Sequence, residues 1–166
     1  KNGGLVRVDD LVIEDVTELY FQDLLKHVDV RDYGALGDGT TDDRSAFIEA
    51  DKAAAGREIL VPSGSYFIGS SLTLHAPVSF EGTLSMAEKS VLSLTKQFDL
   101  PTYIRAFGEE ELGFVKAFQS LLSDSDHESL DMAGRKVTIN GPLDMARLSG
   151  RTRFAQRRVV RNGQLN

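Results

Sequence analysis

Residues 30–56 read VRDYGALGDGTTDDRSAFIEADKAAAG, and this stretch decides the fold. It begins with residue types typical of a strand, passes through a turn rich in glycine and aspartate, and continues with a helical pattern. Phe47, Ala50 and Ala54 form an apolar stripe at helical spacing, and Gly56 suits the position just beyond a helix C-terminus. The turn is therefore either a site of chemistry or the point where the fold begins.

The residues of the turn can also start the helix. Thr40 or Thr41 is a candidate N-cap, because a hydroxyl oxygen accepts a hydrogen bond from an unpaired N–H of the first helical turn. Asp42 and Asp43 are favourable in that turn, beside the positive end of the helix dipole. Upstream of the turn, the residues HVDVRDYGA predict a strand over 27–35.

Short β segments separated by Gly, Ser or Pro follow the helix. The predicted strands are Ile59–Val61, Tyr66–Ile68, Leu72–Leu74, Val78–Phe80 and Val91–Leu94. The strands follow one another quickly, which favours an all-β sheet, a barrel or a solenoid. No strict sequence repeat is visible, so internal similarity alone does not decide between these architectures.

Two further helices are predicted. Asp15 and Glu18 fit a capping box ahead of apolar residues at helical spacing, which predicts a helix over 16–27. Glu109–Glu111 precede a second apolar face, which predicts a helix over 109–122. This second helix lies between β segments and indicates a side element on a β scaffold.

The composition excludes several classes of function. The 166 residues include no cysteine, which excludes disulfides, thiolate zinc sites and cysteine nucleophiles. The net charge of -6 argues against nucleic acid as a partner, because phosphate binding needs clustered Lys and Arg. No apolar run approaches the roughly 20 residues of a membrane span, so we expect no membrane insertion. The chain starts with Lys1 and its last residues resemble the middle of a strand-and-turn pattern, so we expect a fragment of a longer protein.

The stretch from Val30 to Leu74 resembles the N-terminal signature of the pectate-lyase-like right-handed parallel β-helix proteins, which include glycoside hydrolase 28-like enzymes and phage tailspikes. The family pattern is D-[FY]-G-A, then G-D-G-x-T-D-D and a helix, then V-P-x-G-x-Y. The matching segments here are Asp32–Ala35, Gly37–Gly39, Thr41–Asp43 and Val61–Tyr66. The resemblance implies a mainly β fold, namely the N-terminal part of a right-handed parallel β-helix with an N-terminal capping helix and an inserted helix near 109–122.

In such a fold the motif closes an open end. The first coil of a solenoid would expose apolar interior and unpaired strand edges, and a short amphipathic helix can cover both. We expect Phe47 and Ala50 to face the interior, and Asp42 and Asp43 to accept from N–H groups at the helix start. The predicted structural cap consists of Gly34, Gly37, Asp38, Gly39, Asp42, Asp43, Phe47, Pro62 and Gly64. We predict no catalytic residue, no metal ligand and no cofactor.

Two acidic clusters are alternative candidates for Ca²⁺, which prefers several oxygen ligands. One is Asp38, Asp42 and Asp43, and the other is Asp124, Asp126, His127 and Glu128. Neither has the spacing of a calcium-binding loop, so capping is favoured for the first cluster and a solvated loop for the second. The histidines 27, 75 and 127 are scattered, which disfavours a transition-metal site. The carboxylates of residues 109–111 could serve glycosidic chemistry, but successive helical residues point in different directions, and a helix start is favoured.

Five arginines without an intervening acid lie near the C-terminal end of the sequence and form a possible interaction patch. They are Arg151, Arg153, Arg157, Arg158 and Arg161. They could bind an acidic glycan or an acidic partner surface, such as Asp9, Asp10, Glu14 and Asp15 of a neighbouring copy. An exposed strand pair is the alternative interpretation, and it is the one we favour.

Residues 1–29 are predicted to be an attachment or linker segment, and residues 30–166 the capping helix and first coils. The favoured function is the structural base of a trimeric spike or fibre on a phage or phage-like particle, which presents a glycan-binding β-helix for host attachment. The expected partners are two further copies in a homotrimer, other particle proteins through the N-terminal segment, and polysaccharide through regions beyond this fragment. The expected location is the surface of the virion or particle.

A different class of function stays open. The chain could belong to a secreted polysaccharide-degrading enzyme, a glycoside hydrolase or a polysaccharide lyase, with its active site beyond Asn166. Hydrolases that share the resemblance carry catalytic aspartates and a Gly-His-Gly on later coils, and no Gly-His pair occurs here. A glycan-binding solenoid without catalysis is the third interpretation.

Overall fold

The structure is a computed structural model that describes residues 26–123, 126–151 and 157–166. Its strands are β1 (His27–Asp29), β2 (Asp38–Asp42), β3 (Glu58–Val61), β4 (Ser65–Ile68), β5 (Leu72–Leu74), β6 (Val78–Phe80), β7 (Thr83–Met86), β8 (Leu92–Leu94), β9 (Ser129–Asp131), β10 (Lys136–Val137), β11 (Val159–Arg161) and β12 (Gln164–Leu165). Its α-helices are α1 (Arg44–Ala54), α2 (Leu100–Phe107), α3 (Glu110–Leu122) and α4 (Met145–Ser149), and a 3-10 helix spans Val30–Tyr33. Helix and strand are mixed, which corrects the expectation of a mainly β chain.

The strands of residues 26–94 form three small sheets in which every pair is parallel. Their orders are β1-β3-β6, β2-β4-β7 and β5-β8. The chain therefore visits the sheets one after another. Each such circuit adds one strand to a sheet, beside the strand from the circuit before. Ile59 aligns with Val28 on one side and with Val78 on the other, so apolar side chains stack in register from one circuit to the next.

The core lies between the three sheets. Alternate residues of each strand point inward, as in Leu72 and Leu74 of β5, which are buried, while Thr73 between them is exposed. Ile59 and Leu92 are likewise without exposed surface. Burial of such a side chain contributes about 1.5–3 kcal/mol to stability. Period-2 alternation on short strands thus accounts for one continuous apolar interior.

Helices replace strands at two places in this succession. α1 follows β2 and packs against β1, β3 and β5, where a third strand of the first circuit would lie. α2 follows β8 and packs under β6 and β7, and α3 packs against β8, β9 and β10. A parallel bridge from Asp99 to Asp131 then leads to the last pairs, β9 with β11 and β10 with β12.

Several predicted elements need correction. The strand predicted over 27–35 ends at Asp29, because the Asp29 side chain accepts from the Arg31 N–H and starts the 3-10 helix. His27 belongs to β1 and not to the end of a helix over 16–27, and residues 1–25 lie outside the described part of the chain. The first predicted turn is partly a strand, since β2 pairs with β4.

The helix predicted over 109–122 is confirmed as α3, whereas α2 was missed. Pro101 lies in the first turn of α2, where its missing N–H costs nothing. Asp99 caps this helix by accepting from the Thr102 N–H at 2.9 Å. The apolar strands at 59–61, 66–68, 72–74 and 78–80 are confirmed, and β7 was not predicted.

Candidate functional site

Asp43 joins the first turn of the chain to the start of α1. It is 2% exposed, and its carboxylate accepts from the backbone N–H groups of Leu36 at 2.7 Å and Gly37 at 3.1 Å. Asp43 is itself the N-cap residue of α1, but its side chain makes no capping bond to the helix. The predictions that Thr40 or Thr41 caps α1 and that the Asp43 carboxylate accepts from the helix start are therefore wrong. The carboxylate holds the preceding loop instead.

Asp42 does bond to the helix start. Its Oδ1 accepts from the Arg44 N–H at 3.1 Å and from the Gly69 N–H of the next circuit at 2.9 Å. These two donors, Gly69 before Arg44, lower the pKa of the Asp42 carboxyl. Asp38 accepts from the N–H groups of Thr41 and Thr40 and from the Thr41 hydroxyl, and these bonds lower its pKa as well. All three aspartates thus hold local backbone.

Glycines let successive turns stack directly on one another. Gly37 has φ +64°, and a Cβ there would lie 2.9 Å from the Tyr66 ring. The Gly37 carbonyl accepts from the Ser65 N–H at 3.0 Å, and the Gly64 carbonyl accepts from the Thr83 N–H at 2.9 Å. The turns of three circuits are therefore bonded in a column.

The rest of the predicted cap surrounds this column. Phe47 has no exposed surface and meets the Tyr66 ring edge-on, with centroids 5.6 Å apart. The Pro62 carbonyl accepts from the Tyr66 hydroxyl at 3.0 Å. Gly34 ends the 3-10 helix at φ +95°, and Gly39 lies in β2 at φ +79°. All nine predicted cap residues lie in the first two circuits.

The predicted metal candidates have other contacts. Within residues 26–123, 126–151 and 157–166, no three or more His, Asp or Glu side chains are grouped to hold a metal ion. Of the second acidic cluster, Asp124 lies outside the described residues. His127 stacks on the Phe98 ring at a centroid distance of 4.4 Å, and its Nε2 lies 3.0 Å from the Leu94 carbonyl oxygen.

An Asp–His pair that the sequence did not indicate links α1 to the turn after β5. Oδ1 of Asp51 accepts from the N–H groups of His75 and Ala76, both at 2.8 Å, and Oδ2 lies 2.8 Å from His75 Nδ1. The Asp51 side chain is 9% exposed and the His75 side chain 73%. The carboxylate places the ring proton on Nδ1, which leaves Nε2 at the surface. The partners are 24 residues apart, so no local pattern could reveal them.

Two clefts meet at His75, one on the outer face of β5 and β8 and the other beside the C-terminal end of α1. The first, the hydroxyl cleft, has a volume of about 230 Å³ and is lined by Thr73, His75, Ser93, Thr95, Asp126 and His127, among others. The second, the lysine cleft, has a volume of about 490 Å³ and is lined by residues that include Asp51, Lys52, His75, Pro77 and Lys96. Because Leu72 and Leu74 face the core, Thr73 between them faces outward and lines the first cleft.

A third cleft of about 210 Å³ lies beside α3 and α4. Its three carboxylates all have partners. Glu88 pairs with Arg147, Glu111 accepts from Asn140, and Asp144 accepts from the Arg147 N–H at the start of α4. The backbone N–H and then the side chain of Asn140 lower the pKa of Glu111. These engaged carboxylates stabilise loops and α4, which agrees with a structural role for the glutamates at the start of α3.

Lys116 is a buried cation on α3. It is 2% exposed, and its Nζ donates to the carbonyl oxygens of Ala87, Glu88 and Ser90 at 2.8, 3.1 and 2.7 Å. Burial lowers its pKa to about 8, opposed by the Glu88 carboxylate. Gln119 donates to the Glu88 carbonyl as well. α3 therefore holds the loop between β7 and β8 with a polar cluster, which a purely apolar helical face would not predict.

The arginine patch is only partly described, because Arg153 lies outside the described residues. Arg161 lies on β11 and pairs with Asp131 at 3.3 Å, and Arg158 donates to the His127 carbonyl. Arg151 and Arg157 are exposed. Two of the arginines thus hold the β9–β11 region together.

The geometry defines a class: a protein of short parallel strands stacked circuit upon circuit, with a helix across the first circuit. The family model for Rhamnogalacturonase A/epimerase, pectate lyase-like, matches residues 27–134, which is more than half of the chain. The chain belongs to this pectate lyase-like family.

A solved structure from Geobacillus virus E2, described as ORF18, is similar to part of the chain. The sequence identity is 25% and the TM-score 0.31, and the match covers 57% of this chain and 20% of that chain. The chain thus spans about a fifth of the length of that viral protein. No α-helix in the described part of the chain has the length and apolar character to cross a membrane.

Proposed function

We propose that the described residues form the N-terminal cap and first coils of a right-handed parallel β-helix, and that the chain is the structural base of an elongated trimeric spike or fibre on a phage or phage-like particle. The base would present a glycan-binding region outward for host attachment. The observation that carries this proposal is the engagement of the cap: Asp38, Asp42 and Asp43 all accept from neighbouring backbone N–H groups and Phe47 is buried.

The two ends of the stack of strands differ, which supports the proposal. At one end α1 covers β1, β3 and β5. At the other end β11 and β12 are the edge strands among the described residues, and the side chains of Val159 and Leu165 on them are each 49% exposed. In the proposed base the helix lies across the first circuit and further coils would stack on β11 and β12.

Assembly into a trimer would bury part of the exposed apolar surface. Large apolar side chains exposed on the described surface are Leu36, Leu112, Met145, Val159 and Leu165. Contacts with other copies would remove such surface from water. The proposed partners of the trimer are other particle proteins, contacted through the N-terminal segment, and a polysaccharide, contacted beyond the coils described here.

Native mass spectrometry and sedimentation of the protein at micromolar concentration test the assembly. A stable trimer is expected, and Leu36→Lys should shift the equilibrium toward monomer if Leu36 lies in the interface. Lys89→Glu, an exposed change on the loop after β7, serves as the control. A protein that stays monomeric and binds no isolated particle component would refute the spike-base proposal.

A second candidate is a polysaccharide-degrading enzyme whose reacting groups lie outside the described residues. The family description, which names a rhamnogalacturonase, favours this candidate. Assays of the protein on a panel of polysaccharides distinguish the two. Release of reducing ends or of unsaturated uronides would support the enzyme, and their absence together with a trimer on particles would support the spike base.

A further inference from the structure

We propose that Asn140–Gly141 is a site of spontaneous deamidation, and that the acid formed there releases the loop of residues 138–144 from Glu111 on α3. The reaction needs no partner other than water. The proposal concerns this loop alone, and it depends neither on assembly into a spike nor on the binding of a glycan.

An asparagine that precedes a glycine can react with its own backbone. The glycine nitrogen attacks the carbon of the side-chain amide, and the new C–N bond closes a succinimide ring. The side-chain nitrogen leaves as ammonia and takes up the proton that the glycine nitrogen loses. Water then opens the ring at either carbonyl, which yields aspartate or isoaspartate. Glycine favours ring closure because it has no Cβ to shield its nitrogen and its backbone rotates freely.

Three of the four asparagines of the chain precede a glycine. Asn2–Gly3 lies outside the described residues, whereas Asn140–Gly141 and Asn162–Gly163 are described and exposed. In both exposed pairs the amide nitrogen donates to a carboxylate, Glu111 in the first pair and Asp131 in the second. This bond is shorter in the first pair, 2.5 Å against 3.2 Å. A higher reactivity of the first pair must therefore come from its backbone.

The stacked circuits hold the backbone at Asn162. Ring closure requires rotation about the Cα–C bond of the asparagine, because this rotation brings the glycine nitrogen to the amide carbon. The Asn162 carbonyl accepts from the Gly134 N–H at 2.6 Å, and the residue after Gly163 donates to the Arg135 carbonyl at 3.0 Å. Gly163 itself lies so close to Met132 that a Cβ there would overlap the Met132 side chain. The rotation would break these contacts, so we expect the pair at 162 to react slowly.

The backbone at Asn140 is held on one side only. Its N–H donates to Glu111 Oε1 at 2.8 Å, and the residue before it donates to the Asn166 carbonyl at 3.0 Å. Among the described residues, the peptide groups from the Asn140 carbonyl to the Leu143 N–H have no hydrogen-bond partner. A Cβ at Gly141 would meet no heavy atom within 4 Å beyond its chain neighbours. Exposed backbone without hydrogen bonds moves at low cost, so ring closure is favoured here.

Deamidation removes one of the contacts between the loop and α3. Glu111 accepts from the backbone and from the side chain of Asn140, one donor for each oxygen. In the product a carboxylate replaces the amide donor and repels Glu111, and isoaspartate also lengthens the backbone by a methylene. Gln119 of α3 still donates to the Leu148 carbonyl at 2.7 Å, which holds α4 in place. We therefore expect the loop to be released while α4 stays attached.

Peptide mapping by mass spectrometry, after incubation of the protein in mildly alkaline buffer, tests the reaction. In the folded protein, acid should accumulate at position 140 well before it does at position 162. In protein unfolded by urea the two positions should convert at similar rates, because both asparagines precede glycine. Gly141→Ala should slow conversion at position 140 and leave that at position 162 unchanged. Equal rates at the two positions of the folded protein, or faster conversion at position 162, would overturn the proposal.

Asn140→Asp has the same side chain as one product and tests the release of the loop. Hydrogen exchange of the backbone amides of residues 138–144 should be faster than in the unchanged protein, and amides of α4 should keep their protection. Gln164→Glu, the same amide-to-carboxyl change at an exposed position in β12, is the control and should leave the loop as it is. Unchanged exchange of the loop in Asn140→Asp would show that the Glu111 contact does not hold it. None of these measurements reads the oligomeric state, so this proposal and the spike-base proposal fail separately.

Discussion

At the scale of single residues, the cap depends on carboxylates that replace missing backbone partners. Asp43 illustrates this, because its two oxygens each accept from one N–H of the loop that precedes it. Asp42 connects two circuits through a single oxygen. The sequence predicted that the aspartates of this turn belong to the cap, but it did not predict which N–H groups they accept from. The side chain is short, and which N–H it reaches depends on how the loop folds back.

Asp43→Ala should destabilise the protein by about 1–3 kcal/mol, because two loop N–H groups lose a charged acceptor. The measurement is urea unfolding followed by circular dichroism. Asp32→Ala, a change at an exposed position in the 3-10 helix, is the control and should stay within about 0.5 kcal/mol. Equal effects of the two variants would mean that the Asp43 bonds contribute nothing specific.

Asp42→Asn tests the charge at the same turn and predicts a dependence on pH. The folded-state pKa of Asp42 lies below the ordinary aspartate value of 3.8, so the folded state binds fewer protons than the unfolded state. Its contribution is therefore present above the unfolded pKa and is lost as the pH falls below about 4. At pH 7 the unfolding free energy of the native protein should exceed that of Asp42→Asn, and this difference should become smaller by pH 3. A difference that stays constant over this range would argue that the charge is irrelevant.

At the scale of elements, helices take positions that strands hold elsewhere. α1 shows that a helix can lie on β5 when its apolar stripe faces the core, and Phe47 and Ala50 in that stripe are fully buried. α2 and α3 form a second helical layer, and they pack closely because Gly113 allows it. A Cβ at Gly113 would lie 2.8 Å from the Ile104 Cα. The sequence predicted α3 by its period, and nothing local showed which surface would meet α2.

Gly113→Ala sets helix propensity against packing. Propensity alone predicts a gain of up to about 1 kcal/mol, since alanine is the better helix former. The contact with the Ile104 backbone predicts instead a loss of about 1–3 kcal/mol, because two helices must move apart. We expect the loss, measured as a lower midpoint of thermal unfolding.

The control for this prediction is Gly141→Ala. A Cβ at Gly141 would have no heavy atom within 4 Å beyond its chain neighbours, and the residue lies outside the helices, so the midpoint should barely change. A stabilised Gly113→Ala protein would show that the α2–α3 contact can relax at little cost.

At the scale of the whole molecule, the fold is a succession of circuits rather than one sheet around one core. In the middle circuit β3 and β4 each have a parallel neighbour on both sides, whereas β5 pairs with β8 on one side and packs against α1. The strands β11 and β12 each have a neighbour on one side among the described residues. Stability in such an arrangement follows from contacts between neighbouring circuits, and it need not be uniform along the column.

Hydrogen exchange should reveal that gradient. Backbone amides of β3 and β4 are expected to exchange slowest, because their strands are enclosed between neighbours, and amides of β11 and β12 fastest among the strands. The measurement is exchange followed by proteolysis and mass spectrometry at neutral pH. Uniform protection over the strands of the described residues would contradict the description of the protein as a stack of separate nearest-neighbour contacts.

The sequence by itself determined four of the small strands, the helices α1 and α3 and the membership in the pectate lyase-like family, because these depend on residues that are near neighbours in the chain. Alternation and turn residues predicted Leu72–Leu74 and Val78–Phe80 with their correct bounds. Only the tertiary structure decided the partners of Asp43, the layer formed by α2 and α3, the Lys116 cluster and the pairing of Asp51 with His75. The Lys116 and Asp51–His75 contacts join residues of different circuits, so the number of residues in each circuit sets which side chains meet. The partners of Asp43 depend instead on how the loop just before it folds back.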